Sequence, residues 1–257
     1  MRQRPAILLL LMMFVPLVAC QSIGLSRPGT RISACSEIVL EVSNLQSRQV
    51  PEHLVITGRK RGDEFDANRY FNVLTHLSMR EGYVLDYVYQ NDSLGGFPLL
   101  YARPVDQVPY ASVADIVENT KWRDFTDYLD VADSEQGYFE YVVLDIMANQ
   151  FYLFWHANYN DTLIVCNRQQ VYDIVEQISS GNFGNAMDPA LQKEARTLRD
   201  IVPVVRLTDD TAVVEIVTFT KWGGFYRLTY TISRDFPHSI LDVEQENLIP
   251  YDSGVIF

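Results

Sequence analysis

Apolar residues recur along the chain with two different periods. Tyr70, Val73, Leu74 and Leu77 fall at i, i+3, i+4 and i+7, which predicts a helix over Asp66–Glu81, capped by Asp66 and ended by Gly82. The period then drops to two. Tyr83, Leu85, Tyr87 and Tyr89 alternate as a strand, "NDSLGG" turns the chain, and Phe97–Ala102 returns as a partner that Pro98 confines to a sheet edge. Ser112 with Asp115 opens a short helix by a capping pattern. Lys121–Val131 fits helix and strand equally. Tyr138–Ile146, Gln150–His156 and Thr162–Cys166 read as three β runs.

Asn167 then caps a helix whose Val171, Ile174, Val175 and Ile178 share one side. Asp188-Pro189 begins another, with proline at the favoured first position. The remainder is a run of hairpins. Val202–Leu207 turns at Asp209-Asp210 into Thr211–Thr220, which turns at "KWGG" into Phe225–Ser233, and "RDFPHS" leads to Ile240–Glu244. Strands joined by such short connections are antiparallel. The order α-ββ-α-βββ-αα-ββββ predicts an α+β domain over residues 37–257, an antiparallel sheet of hairpins with helices packed on one face. A division into two subdomains near 179–188 is open.

The N-terminus follows neither period. Arg2 and Arg4 precede an apolar run, Ala6–Val18, which is shorter than the ~20 residues that span a bilayer. It exits through Leu17-Val18-Ala19-Cys20. These four residues resemble the lipobox of bacterial lipoprotein signals, a resemblance confined to roughly the first twenty residues. It implies cleavage of residues 1–19, a lipid-bearing Cys20, and an extracytoplasmic protein anchored to a bacterial membrane. The polar stretch that follows, with Pro28, reads as a flexible tether over 20–36.

Composition narrows the class further. The chain carries 21 basic and 33 acidic side chains, a net charge of −12, and loss of the leader with its two arginines makes it more acidic. Such a body is a poor partner for nucleic acid. With Cys20 acylated, Cys35 and Cys166 remain, and an oxidising compartment favours a disulfide between them.

Chemistry is sparse. "WHANYNDT" follows a strand and is the densest polar-aromatic cluster: His156 and Asp161 could form a general base with its orienting carboxylate, and Trp155 and Asn158 could line a ligand site. The same residues suit an ordinary turn. Lys221 and Trp222 in "KWGGF" could offer an aromatic platform to a sugar or peptide. Asp124, Asp127, Asp130 and Asp133, like Asp63, Glu64 and Asp66, read as solvated faces, and the four histidines lack ligand spacing, so neither metal nor cofactor is expected. The reading is a tethered envelope module that binds or scaffolds an envelope protein or glycan. The alternatives are a hydrolase using His156 and Asp161, and an inhibitor-like protein-binding module.

Overall fold

A computed structural model describes residues 28–92, 94–119, 122–181 and 184–254, with Asn119, Asn158 and Tyr159 described by their backbone alone. The leader, Cys20 and the first part of the expected tether lie outside the described residues. From Thr30 the chain belongs to the fold: β1 (Thr30–Arg31) pairs with residues 204 and 205, and Ile32 is buried.

Helices α1 (Cys35–Leu45) and α2 (Glu52–Thr57) follow. β2 (Leu77–Met79) comes next, then the hairpin β3 (Tyr83–Asp92) and β4 (Gly95–Pro104). α3 (Val113–Asn119) leads to β5 (Leu129–Val131), α4 (Glu135–Met147), β6 (Phe154–Trp155) and β7 (Leu163–Val165). α5 (Arg168–Ser179) and α6 (Pro189–Ala195) precede four final strands. These are β8 (Val204–Leu207), β9 (Thr211–Thr220), β10 (Gly224–Ser233) and β11 (Ile240–Pro250).

The fold is α+β, and every strand pairing is antiparallel. The main sheet runs β1-β8-β9-β10-β11, with β7 taking over from β8 along the second half of β9. A second sheet is β3-β4-β6 and a third is β2-β5. Alternation along β9 and β10 explains how the helices divide. Ala212, Val214, Ile216, Tyr230 and Ile232 point to the side of α4, while Val217, Phe219 and Phe225 point to the side of α5 and α6. The first group joins α4, α1 and the β3 face bearing Leu85, Tyr87 and Tyr89 in one large core.

Four expected elements differ. Over Asp66–Glu81 the chain forms only a 3₁₀ turn, Ala67–Asn72, before entering β2. Asp66 does cap it, accepting from the Asn68 amide. The next residues, Asn72, Val73, Thr75 and His76, are weak helix formers, and the His76 amide is drawn to the Glu140 carboxylate at 2.8 Å. Tyr70, Leu74 and Leu77 still reach the core, so the apolar spacing was satisfied without a helix. Tyr138–Ile146, expected as a strand, lies within α4. Its aromatic and β-branched residues suit a strand, but α4 is buried nearly all round, so no amphipathic period survives to mark it. Gln150–His156 contributes only β6, because Tyr152 and Trp155 adopt positive φ, 52° and 51°, and break the extended run. Lys121–Val131 resolves into a 3₁₀ turn, Phe125–Tyr128, and β5.

Cys35 and Cys166 are bonded, their Cα atoms 5.5 Å apart across 131 residues of chain. Closing a loop that long removes up to about 5 kcal/mol of denatured-state entropy on a chain-entropy model. The bridge ties the first turn of α1 to the junction of β7 with α5.

Candidate functional site

That junction builds one wall of a groove. Asn167 caps α5, its Oδ1 accepting from the Gln170 amide, while its Nδ2 donates to Ser36 Oγ on α1 at 2.8 Å. Disulfide and hydrogen bond together hold the two helices side by side. Each turns one stripe inward: Ser36, Val39, Leu40 and Ser43 from α1, and Gln170, Asp173, Ile174 and Gln177 from α5. Both stripes follow i, i+3, i+4, i+7, the spacing that puts side chains on one helix face. Gln150, Tyr152 and the stretch Asn160–Ile164 form the floor, and the enclosed volume is about 470 Å³. That is within the range of ligand-binding clefts.

The lining is unusually rich in amides. Gln46 Nε2 donates to the Tyr70 hydroxyl and the Met147 carbonyl, and Gln150 Nε2 donates to the Ile146 and Thr162 carbonyls. Gln170 Oε1 accepts from the Cys166 amide, and Asn160 Nδ2 donates to Asn149. Each amide is thereby fixed by one end. Among the described residues the opposite ends, three carbonyl oxygens and the Gln170 NH₂, have no protein partner. Leu40 and Leu163 stand at the rim, 60 % and 46 % exposed.

Asp161 belongs to this floor. Burial raises its pKa, opposed by the Thr220 hydroxyl, which donates at 2.7 Å, and by Lys221, whose Nζ lies 3.8 Å away. The two segments singled out in the sequence, "WHANYNDT" and "KWGGF", therefore meet through Asp161, Thr220 and Lys221. The carboxylate is engaged there rather than poised as the orienting partner of His156. His156 sits on the 3₁₀ turn His156–Tyr159, its backbone amide donating to the Leu94 carbonyl and its ring 4.7 Å from that of Trp155. Trp155 is 52 % exposed and Trp222 half-buried. The side chain of Asn158 lies outside the described residues.

No family model, curated protein or solved structure matches the chain. Function therefore rests on what the residues themselves can do.

Glu64 differs from the expectation of a solvated face. Glu64 is buried, its carboxylate accepting from His53 Nε2 at 2.6 Å and from the Arg61 and Gly62 amides. Desolvation pushes its pKa up, but these hydrogen bonds outweigh it and the net shift is downward. His53, Asp63 and Glu64 bring one ligand atom each within 4.8 Å of one another. With both Glu64 oxygens already held, the cluster is accounted for by the protein's own hydrogen bonds. Asp133 is exposed, as expected, and takes a two-pronged bond from Arg234 at 2.6 and 2.8 Å. Asp124 caps a turn through Thr126, whereas Asp127 and Asp130 are exposed.

The notable residues missed in the sequence are the amides. Gln170 and Gln177 are seven apart on the helix whose apolar side was recognised, which is a visible signal. Gln46 closes α1, a helix that was not anticipated, and Gln150 opens a run expected as a strand.

Proposed function

We propose that the chain is a lipid-tethered, extracytoplasmic binding module whose groove between α1 and α5 receives an extended peptide segment of an envelope protein. The observation that carries this reading is the set of half-used amides beneath a leucine rim. A peptide backbone offers alternating N–H and C=O groups, and fixed carboxamides match both with little further ordering. The exposed leucines supply the apolar contact that gives such binding its affinity. A glycan would satisfy the amides but make little use of Leu40 and Leu163.

The compartment is supported by the lipobox at Leu17–Cys20 and by the disulfide, which persists in oxidising surroundings. Two acyl chains or more on one cysteine give stable anchoring. Among the described residues no helix is long and apolar enough to cross a membrane. Intact-mass analysis of the product made in a bacterial host tests attachment through Cys20: a chain starting at acylated Cys20 is expected, and an unmodified Cys20 behind a retained leader refutes the anchor.

The groove is tested by selecting a displayed random-peptide library on the folded domain and measuring the enriched peptides by fluorescence polarisation. Leu40→Glu and Leu163→Glu alter exposed positions and should leave the melting temperature unchanged while weakening those peptides at least tenfold. Enriched peptides indifferent to both changes would place binding elsewhere. Failure of any peptide to enrich, with oligosaccharides bound instead, would replace the peptide by a glycan.

A further inference from the structure

A second cavity of about 370 Å³ opens between the β3-β4 hairpin and the segments around Arg61 and Tyr110. It is separate from the amide-lined groove, and the inference below does not depend on the peptide reading. Its floor is a compact charged network. Asp86 Oδ1 accepts from Lys60 Nζ at 2.5 Å and from the Tyr87 amide, and Oδ2 accepts from Arg103 Nε at 2.7 Å and the Tyr101 hydroxyl at 3.2 Å. The Lys60, Asp86 and Arg103 side chains are only 10 %, 11 % and 16 % exposed.

Two cations thus share one carboxylate, leaving a positive charge in a poorly solvated place. Burying charge without compensation is costly, so the site favours an anion from outside. Glu64, the other carboxylate near the floor, has its oxygens turned to His53 and two backbone amides, and Arg61 and Asp66 are exposed residues of the lining.

The balance of donors and acceptors points the same way. Both Asp86 oxygens and both Glu64 oxygens are occupied, and Asn68 Oδ1 accepts from the Leu85 amide. Unused donors remain instead. Lys60 has N–H groups beyond the one given to Asp86. Arg103 commits Nε to Asp86 and Nη1 to the Pro104 and Gln107 carbonyls, and Nη2 has no partner among the described residues. The third donor is an independent sign. Tyr87 lines the cavity and is 2 % exposed, and its hydroxyl is buried with no hydrogen-bond partner among the described residues. Burial, with Tyr152, Glu64 and Asp86 close by, raises its pKa, so the proton stays on as a donor. An orphaned buried hydroxyl is destabilising, and a ligand oxygen would relieve it. Lys60 Nζ lies 4.4 Å from the centre of the same ring, which places two of the donors together.

We infer that this cavity binds a small organic carboxylate, its oxygens held by Lys60, Arg103 and the Tyr87 hydroxyl and its carbon skeleton against Phe65, Leu85 and Tyr110. One negative charge neutralises the floor. A phosphate dianion would overshoot it beside Asp86 and Glu64. The same chemistry is available from a free acid or from the carboxyl end of a peptide.

Ligand-observed NMR on the whole soluble domain tests the assignment with benzoate, with benzamide as the uncharged isostere, and with a phenylalanine-terminated tripeptide in free-acid and amidated forms. Benzoate is expected to bind with Kd of about 1 mM or tighter, and benzamide at least tenfold more weakly. Stronger binding by the free-acid tripeptide than by benzoate would identify a peptide terminus as the source, and the reverse a small acid. Tyr87→Phe deletes only the orphaned hydroxyl. It should weaken benzoate at least fivefold while the melting temperature stays equal or rises, a pairing that a purely structural tyrosine would not give. Arg103→Lys, which keeps the charge beside Asp86, should weaken binding similarly. Equal binding of benzoate and benzamide, no binding of any probe, or benzoate affinity unchanged in both variants would overturn the proposal.

Discussion

Asp145 shows what a partly compensated buried charge does to this fold. It projects from α4 toward β10, where the Tyr230 hydroxyl donates to its Oδ2 at 3.1 Å. Desolvation raises its pKa, the Tyr230 bond lowers it by less, and Asp124 raises it further. The sign of the linkage follows. Where the folded-state value lies above the unfolded one, near 3.9 for aspartate, the native state binds more protons and stability falls as pH rises between the two. The contribution is complete below the unfolded value and is lost once pH has passed the folded one. Asp145→Asn keeps an oxygen for Tyr230 and removes the charge. The variant should therefore exceed the parent in urea midpoint at pH 7, with the difference shrinking toward zero as pH drops below 4. A variant less stable than the parent at neutral pH would mean that the ionised form contributes more than its desolvation costs. Two other carboxylates at the core, Glu64 and Glu140, are each held by two or more donors. The pairing of Glu140 with His76 and of Asp145 with Tyr230 was not legible in the sequence, because these partners lie 64 and 85 residues apart and only the fold brings them together.

Legibility at the level of elements followed burial. Where one face is wet and the other dry, the pattern carried the answer: α5, with Asn167 as its cap and Val171, Ile174, Val175 and Ile178 buried, and the β8-β9-β10-β11 hairpins with their turns. Where an element is dry all round, the pattern vanished. α4 reads as a strand by composition, and the information that overrides it is local and small: Ser134 Oγ accepting from the Gly137 amide at the helix start. α1 failed differently. Its first turn was absorbed into the tether because Ser and Arg residues precede Cys35, yet the disulfide and Asn167 draw that turn against α5. The consequence for function is direct. The groove is made by α1 and α5 facing each other, so missing α1 hid the groove, and of its floor only the end of "WHANYNDT", Asn160 to Thr162, was singled out beforehand. Tyr152 is the hinge of this arrangement. At φ 52° it lines the groove, its amide donates to Ser47, its carbonyl accepts from Tyr89, and its hydroxyl accepts from the Phe65 amide beside the second cavity. Three hydrogen bonds from separate parts of the chain over-determine a backbone conformation that a tyrosine rarely adopts.

Across the whole molecule the exposed surface has to keep one vulnerable border quiet. β11 is the last strand of the main sheet, and residues 241–247 are exposed on both faces. A strand of that length whose outer edge is unpaired among the described residues is a template for a second chain. Register explains which side chains guard it. Val243 lies across from Tyr230 on the α4 side, whereas Asp242, Glu244 and Glu246 lie across from Thr231, Thr229 and Arg227 on the other. Leu241 and Val243 are exposed apolar residues of good strand propensity, so the three carboxylates carry the burden of repelling an identical edge. Arg227 neutralises part of that row through Glu246 at 3.1 Å, and two register shifts along β10-β11 bend the border further. Replacing Asp242, Glu244 and Glu246 together by threonine should preserve the hairpin and expose a flat, uncharged edge. Sedimentation velocity is then expected to show a larger, concentration-dependent species absent from the parent. The double change Asp209→Thr and Asp210→Thr in the β8-β9 turn also removes negative charge, but away from the border, and should leave sedimentation unaltered. If both variants self-associated alike, overall acidity rather than the edge row would be what keeps the molecules apart.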